Sequence, residues 1–165
     1  DGQALQQLAQ PGVLWFDKTG TLTEGKQRVS TLYGSLDGLR LAAGIEASCR
    51  HPVAQSIVFE AQRRRLTLPA NAILKHVSTS GVLGSVDQSL VYVGNSRHLQ
   101  QHQIALETDW QQRFDQLASA GESPILIAVD GHVVTLLGLS DPLRPDARPM
   151  VDELQRRGWT FIRAL

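Results

Sequence analysis

Apolar positions along this chain recur at two different spacings, and the elements change where the spacing changes. Val13-Leu14-Trp15-Phe16 is a short apolar run set off by Pro11-Gly12, with the length and boundary of a buried strand. Residues 1–12 before it are polar and glutamine-rich, a lead-in segment. Residues 28–33 have β character. From Leu36 the apolar side chains return at helical spacing (Leu36, Leu39, Leu41, Ala42, Ala43, Ile45), behind the start signal Gly34-Ser35 with Asp37. The pattern pauses at Ser48-Cys49-Arg50 and restarts at His51-Pro52, where proline suits a first helical position. Val53, Ile57 and Ala61 carry this second helix to Arg63-Arg64-Arg65.

The following stretch reads as strands at 73–77, 82–86 and 90–93, with turns at Ser80-Gly81 and Asp87-Gln88-Ser89. Asn95 is placed to cap a short helix reaching His102, and Thr108 to cap another with Trp110, Phe114, Leu117 and Ala118 inward. Residues 125–129 and 133–139 form a hairpin about Asp130-Gly131. A last helix with Met150, Val151 and Leu154 inward leads to a buried strand over 159–165. The order predicts an α/β protein with an α+β insert: an antiparallel sheet flanked by helices, interrupting a doubly wound, parallel unit. The expected pieces are 1–29, the insert 30–132, and 133–165.

Composition narrows the function. Sixteen Lys and Arg balance sixteen Asp and Glu, so the formal charge is zero and no nucleic-acid partner is expected. The arginine run at 63–65 reads as the solvated end of a helix. The single Cys49 excludes an intrachain disulfide. No apolar run approaches about 18 residues, so none of these residues is expected to span a bilayer.

The chemistry centres on Asp17-Lys18-Thr19-Gly20-Thr21-Leu22-Thr23, directly after the first strand. A carboxylate at the carboxyl end of such a strand stands where open α/β sheets place their reactive groups. Lys18 sets a positive charge beside it, Gly20 allows a tight turn, and the threonines offer donors for phosphate oxygens. Asp17 can therefore act as a nucleophile toward a phosphoryl group. The seven-residue string resembles the phosphorylation motif of P-type ATPases, and later elements resemble those of the heavy-metal-transporting, copper-type subfamily in the same order. These are His51-Pro52 preceded by Glu46, the loop holding Gly81 and Gly84, the pair Gly94-Asn95, and the stretch from Gly138 to Ala147.

The resemblance implies that pieces 1–29 and 133–165 are parts of a haloacid-dehalogenase-like phosphorylation domain and that 30–132 is a nucleotide-binding domain. It implies ATP and Mg²⁺ as cofactors, with Asp17, Lys18 and Thr19 catalytic and Asp17 and Thr19 also ligating the metal. Glu46 and His51 would meet the adenine, Gly81, Gly84 and Asn95 would line its pocket, and Asp141 and Arg144 would face the phosphates and hold the hinge. An intact pump would place this part on the cytoplasmic face of a membrane, joined to a membrane domain of the same polypeptide that exports a metal, most often copper. Three positions depart from the pattern: Arg50 replaces an acidic residue, Thr79 a glycine, and Glu122 a lysine. The subfamily's Thr-Gly-Asp and Gly-Asp-Gly-x-x-Asp motifs are not among residues 1–165, so this stretch is expected to bind nucleotide better than it turns it over. A haloacid-dehalogenase-like phosphatase and a non-catalytic nucleotide-binding module stay open as alternatives. Thr19 stands where such phosphatases carry a second Asp as general acid/base.

Overall fold

The computed structural model describes residues 11–162, with the side chains of Lys18, Phe161 and Ile162 excepted. The chain divides into two compact units, residues up to 26 together with 141 onward, and residues 27–140.

The larger unit is built on six strands: β2 (Arg28–Gly34), β3 (Ile73–Val77), β4 (Gly81–Val86), β5 (Ser89–Gly94), β6 (Ser123–Val129) and β7 (His132–Ser140). They run antiparallel in the order β2-β7-β6-β5-β4-β3. Alternation along the strands divides the apolar side chains between two faces. Ile127, Leu137, Leu139, Val82, Val91 and Val93 meet α1 (Leu36–Glu46) and α2 (Pro52–Arg63) through Leu39, Ala42, Ala43, Ile45, Ile57 and Ala61. Leu126, Ala128 and Leu136 meet α3 (Ser96–Gln101) and α4 (Thr108–Ser119) on the other side, with Leu99, Ile104 and Leu117. Leu137 is fully buried, which stabilises the fold by about 1.5–3 kcal/mol relative to exposure.

The turns expected at Ser80-Gly81, Asp87-Gln88-Ser89 and Asp130-Gly131 each join paired antiparallel strands. Asp130 and Gly131 take left-handed φ values of 49° and 86°, the conformation of a two-residue turn matched to strand twist. Ser35 caps α1 by accepting from the amides of Asp37 and Gly38. Helix α4 begins one residue earlier than the cap reading implied: Glu107 is its N-cap and Thr108 its first helical residue. Trp110 and Phe114 are half-buried and Leu117 is buried on its inner face, while Ala118 faces out.

The boundary of the insert also moves. Residues 133–140 belong to the larger unit because β7 lies between β2 and β6, with Leu137 opposite both Leu32 and Ile125. The chain returns to the smaller unit only at Asp141.

In the smaller unit β1 (Val13–Trp15) pairs in parallel with β8 (Thr160–Ile162), behind α5 (Ala147–Arg156). The strand expected at 13–16 forms, but it is not buried among the described residues: Val13 and Trp15 are exposed and only β8 lies beside it. Along α5, Ala147, Val151 and Leu154 share one stripe, and Met150 falls off it, exposed. Residues 1–10 of the lead-in and 163–165 of the final strand lie outside the described residues.

Candidate nucleotide cleft and phosphorylation loop

Helix α1 ends at Glu46, and a five-residue link carries the chain to Pro52 at the first position of α2. His51 is the N-cap: its Nδ1 accepts from the Val53 amide at 3.3 Å, so a neutral ring carries its proton on Nε2. This link faces the β3–β4 turn and the β5 end across a cleft of about 860 Å³, within the range of small-molecule sites. Glu46, His51, Gly81 and Asn95 all line it, although they come from three separate stretches of sequence.

The floor of the cleft is bare backbone. Gly81 and Gly94 sit opposite each other in the β4–β5 register. A Cβ on Gly94 would meet Gly81 Cα at 2.9 Å and His98 Cβ at 2.8 Å, and one on Gly81 would run into the Val93 carbonyl. His98 is buried beneath the pair. Its Nε2 lies 3.0 Å from the Val82 carbonyl and its Nδ1 3.4 Å from Ser80 Oγ. Burial holds the His98 imidazole below its usual pKa, the Val82 hydrogen bond opposing this, so the ring is neutral and donates through Nε2. Asn95 caps α3 by accepting from the His98 amide at 3.1 Å and also borders the cleft.

Gly84 does something different from what its place in the loop suggested. It does not line the cleft; a Cβ there would lie 2.6 Å from Ile45 Cγ2 and 2.7 Å from the Ile73 carbonyl. It lets α1 pack closely on β4. Thr79 borders the cleft with an ordinary negative φ, so threonine costs nothing in backbone strain where the subfamily has glycine.

Glu46 is 4% exposed. Burial raises its pKa, and a side-chain hydrogen bond from Cys49 partly offsets this. The Cys49 thiol is pushed up to about 11 by burial and by the neighbouring Glu46 carboxylate. Reading the sequence as a pause between two helices passed over Cys49, and also over Ser78, Ser80, Leu74 and Ile125, which complete the walls. The only available signal for Cys49 was its position three residues beyond Glu46. Glu122, where the subfamily has lysine, accepts from Ser30 Oγ at 2.6 Å and Thr31 Oγ1 at 3.1 Å and so ties β2 to the start of β6.

In the smaller unit the loop after Asp17 makes one wide turn over Lys18–Leu22, broken at Gly20 with φ 81°. Asp17 and Thr19 are exposed; the Lys18 side chain lies outside the described residues. Thr23 is buried and links the turn to the returning chain. Its Oγ1 accepts from the Gly20 amide at 3.1 Å and donates to Asp141 Oδ2 at 2.6 Å. The Lys26 amide donates to the other Asp141 oxygen at 3.1 Å, and the Arg144 amide donates to the Leu22 carbonyl at 2.9 Å. Both oxygens of Asp141 thus tie residues 23–26 to the returning chain within the smaller unit. The Arg144 guanidinium pairs with Asp146 at 3.3 Å, both exposed.

Asp17 and the Thr19 carbonyl are hard oxygen donors of the kind Mg²⁺ takes. Among the described residues no three His, Cys, Asp or Glu side chains are grouped to hold a metal, so these two donors fall short of a complete Mg²⁺ site.

Residues 12–163 match the family model described as haloacid dehalogenase-like hydrolase. The chain belongs to that family. Among its relatives is a copper-exporting P-type ATPase of Legionella pneumophila, 33% identical over 166 residues, covering 98% of this chain and 22% of the relative. A silver exporting P-type ATPase of Salmonella typhimurium is 30% identical, covering 98% of this chain and 20% of its own length. The chain thus spans about a fifth of the length of the relatives it matches. A zinc-transporting PIB-type ATPase crystallised in an E2.Pi state superposes with a TM-score of 0.83 at 31% identity, over 98% of this chain and 26% of that one. No helix among the described residues is long and apolar enough to cross a membrane.

Proposed function

We propose that this chain is the nucleotide-binding and phosphate-accepting part of a heavy-metal-exporting P-type ATPase, with copper as the expected cargo. The convergence of Glu46, His51, Gly81 and Asn95 on one cleft carries the reading. An adenine ring offers an exocyclic amine and a flat face. A buried carboxylate is an apt acceptor for the amine, an imidazole can stack or donate through Nε2, and the paired glycines let the ring approach backbone. Arg50 at the rim adds a positive charge toward the phosphates, where the subfamily has an acidic residue. Weak, millimolar to high-micromolar binding, roughly −4 to −6 kcal/mol, is expected.

Asp17 supplies the phosphoryl acceptor. In the intact pump an Asp17 oxygen attacks the γ-phosphorus of ATP, the bond to the β-phosphate oxygen breaks, ADP leaves, and an acyl-phosphate remains. Haloacid dehalogenase-like hydrolases and P-type ATPases generally use ATP and Mg²⁺, and the metal, when bound, offsets charge that develops in the transfer. Thr19 has no carboxyl proton to shuttle, which supports a persistent phosphoenzyme over rapid hydrolysis. The cleft and loop fit the cytoplasmic side of a membrane protein whose membrane domain carries the metal.

ATP titration followed by amide NMR tests the reading: shifts should cluster at residues 46–95. Shifts confined to 11–30 and 141–162 would overturn it. In the full-length pump, Asp17→Asn should abolish hydroxylamine-sensitive labelling from γ-labelled ATP.

A further inference from the structure

Helix α3 sends two side chains toward the underside of the cleft, and neither lines it: His98, buried, and Gln101, exposed. The His98 ring lies directly below Gly81, where an added Cβ would come within 2.8 Å of His98 Cγ. It reaches the residues on both sides of that glycine. Nε2 donates to the Val82 carbonyl at 3.0 Å, and Nδ1 lies 3.4 Å from Ser80 Oγ. Ser80 Oγ donates in turn to Gln101 Oε1 at 2.9 Å. Through its backbone Ser80 also fastens the β3–β4 turn to the end of β5, its carbonyl accepting from the Asn95 amide at 3.0 Å. Ser80, Gly81 and Asn95 all line the cleft, so three of its residues share one network anchored from outside it by His98 and Gln101.

We propose that His98 and Gln101 are positioning residues for nucleotide binding: from beneath the cleft they hold the β3–β4 turn so that Ser80, Gly81 and Asn95 form a fixed floor for the ligand ring. This rests on the nucleotide reading of the cleft. Bare backbone lets a flat ring come close, but the opposed glycines Gly81 and Gly94 have no side chains with which to brace themselves. Bracing from above would fill the space the ligand needs. His98 and Gln101 supply it from the other side, and a binding surface keeps its geometry when the groups behind it are themselves locked by packing and hydrogen bonds. His98 is locked in this way: its ring is buried, and the His102 ring packs against it edge-on at 4.8 Å between centroids. Because burial keeps the imidazole neutral, one ring nitrogen is a donor, and the Val82 carbonyl fixes that donor as Nε2.

The test compares the full chain with His98→Gln, His98→Phe and Gln101→Ala. His98→Gln keeps an Nε2 donor for Val82, His98→Phe fills the space without one, and Gln101→Ala removes only the acceptor of Ser80, at an exposed helical position that alanine suits. None of the three removes a residue that lines the cleft. ATP binding is measured by calorimetry, and hydrogen exchange of the Asn95 amide by NMR without ligand, at a temperature where denaturation curves show each variant folded. His98→Phe should weaken ATP binding about 3–10-fold and Gln101→Ala about 2–4-fold, while His98→Gln stays within about twofold of the parent. The Asn95 amide should exchange faster in the Phe and Ala variants, because its acceptor Ser80 has lost an anchor, and at the parent rate in His98→Gln. Unchanged ATP binding and unchanged Asn95 exchange in His98→Phe and Gln101→Ala would overturn the proposal. Equal losses in His98→Gln and His98→Phe would reduce the ring to packing and overturn it as well. Should His98→Phe fail to fold, unchanged binding and exchange in Gln101→Ala overturn it alone. If the parent chain binds no ATP, the nucleotide reading fails, while Asn95 exchange still decides whether His98 and Gln101 hold the turn.

Discussion

Two glutamates at the ends of neighbouring helices show how the fold treats a buried charge it needs for itself and one it leaves for something else. Glu60, near the end of α2, is 3% exposed, and Glu46, at the end of α1, is 4% exposed. Glu60 accepts from Arg63 Nε and Nη2, both at 2.8 Å, and from Arg64 Nε at 2.6 Å. Those partners hold its pKa below the ordinary carboxylate value despite burial, the Arg63 hydrogen bonds contributing most. Among the described residues no cation pairs with Glu46; burial raises its pKa and the Cys49 side chain offsets only part. Surface exposure is alike, but desolvation dominates at Glu46 and the arginine hydrogen bonds dominate at Glu60. A charge paired from both oxygens is finished business for the fold. One on a cleft wall without such partners is a site where an incoming donor gains more.

That contrast can be broken in order of expected effect. Glu60→Gln should destabilise the chain by about 2 kcal/mol, since it removes charge-assisted hydrogen bonds to two arginines, and should leave ATP affinity unchanged. Chemical denaturation together with calorimetry reads both quantities. A weakened ATP titration with unchanged stability would erase the contrast.

Glu46→Gln should do the reverse. ATP affinity should fall about tenfold, or about 1.4 kcal/mol, because the acceptor becomes half donor. Stability at neutral pH should hold or rise, because a desolvated charge has been removed. A marked loss of stability would show that Glu46 serves the fold as Glu60 does.

His51→Gln should weaken ATP binding by about 1 kcal/mol. Because His51 Nδ1 also caps α2 at 3.3 Å, a further stability loss of about 0.5 kcal/mol is expected, toward the low end for caps. An unchanged titration with that same small stability loss would leave His51 as a cap alone.

The smallest effect lies in the pH dependence of the two glutamine variants relative to the parent. Glu60 has a depressed folded pKa, so its stabilisation is full above about 4.5, the unfolded value, and fades as pH falls through the folded value. The stability gap between parent and Glu60→Gln should therefore close only below about pH 4.5. Glu46 has a raised folded pKa, so its charge disfavours the fold above that value and the penalty disappears as pH falls through it toward 4.5. Any advantage of Glu46→Gln should thus disappear at a higher pH than the Glu60 gap. Urea unfolding of all three proteins from pH 3.5 to 8 separates the windows; coincident windows would show that the two carboxylates share one environment.

The sequence by itself determined the local elements and named the candidate reactive groups. Helix starts at Ser35 and His51-Pro52, the cap at Asn95 and the Asp130-Gly131 hairpin were legible because each depends on residues within a few positions of one another. The Asp17 loop was legible for the same reason: its chemistry is carried by seven contiguous residues. Tertiary structure alone decided what distant residues do to each other. Gly84 sits in a glycine loop but serves the packing of Ile45, because helix α1 crosses β4 at that point. Asp141 is committed to Thr23, 118 residues away, and β7 joins the insert because pairing placed it between β2 and β6. Register, close approach and desolvation are set by partners far along the chain, and no short-range pattern encodes them.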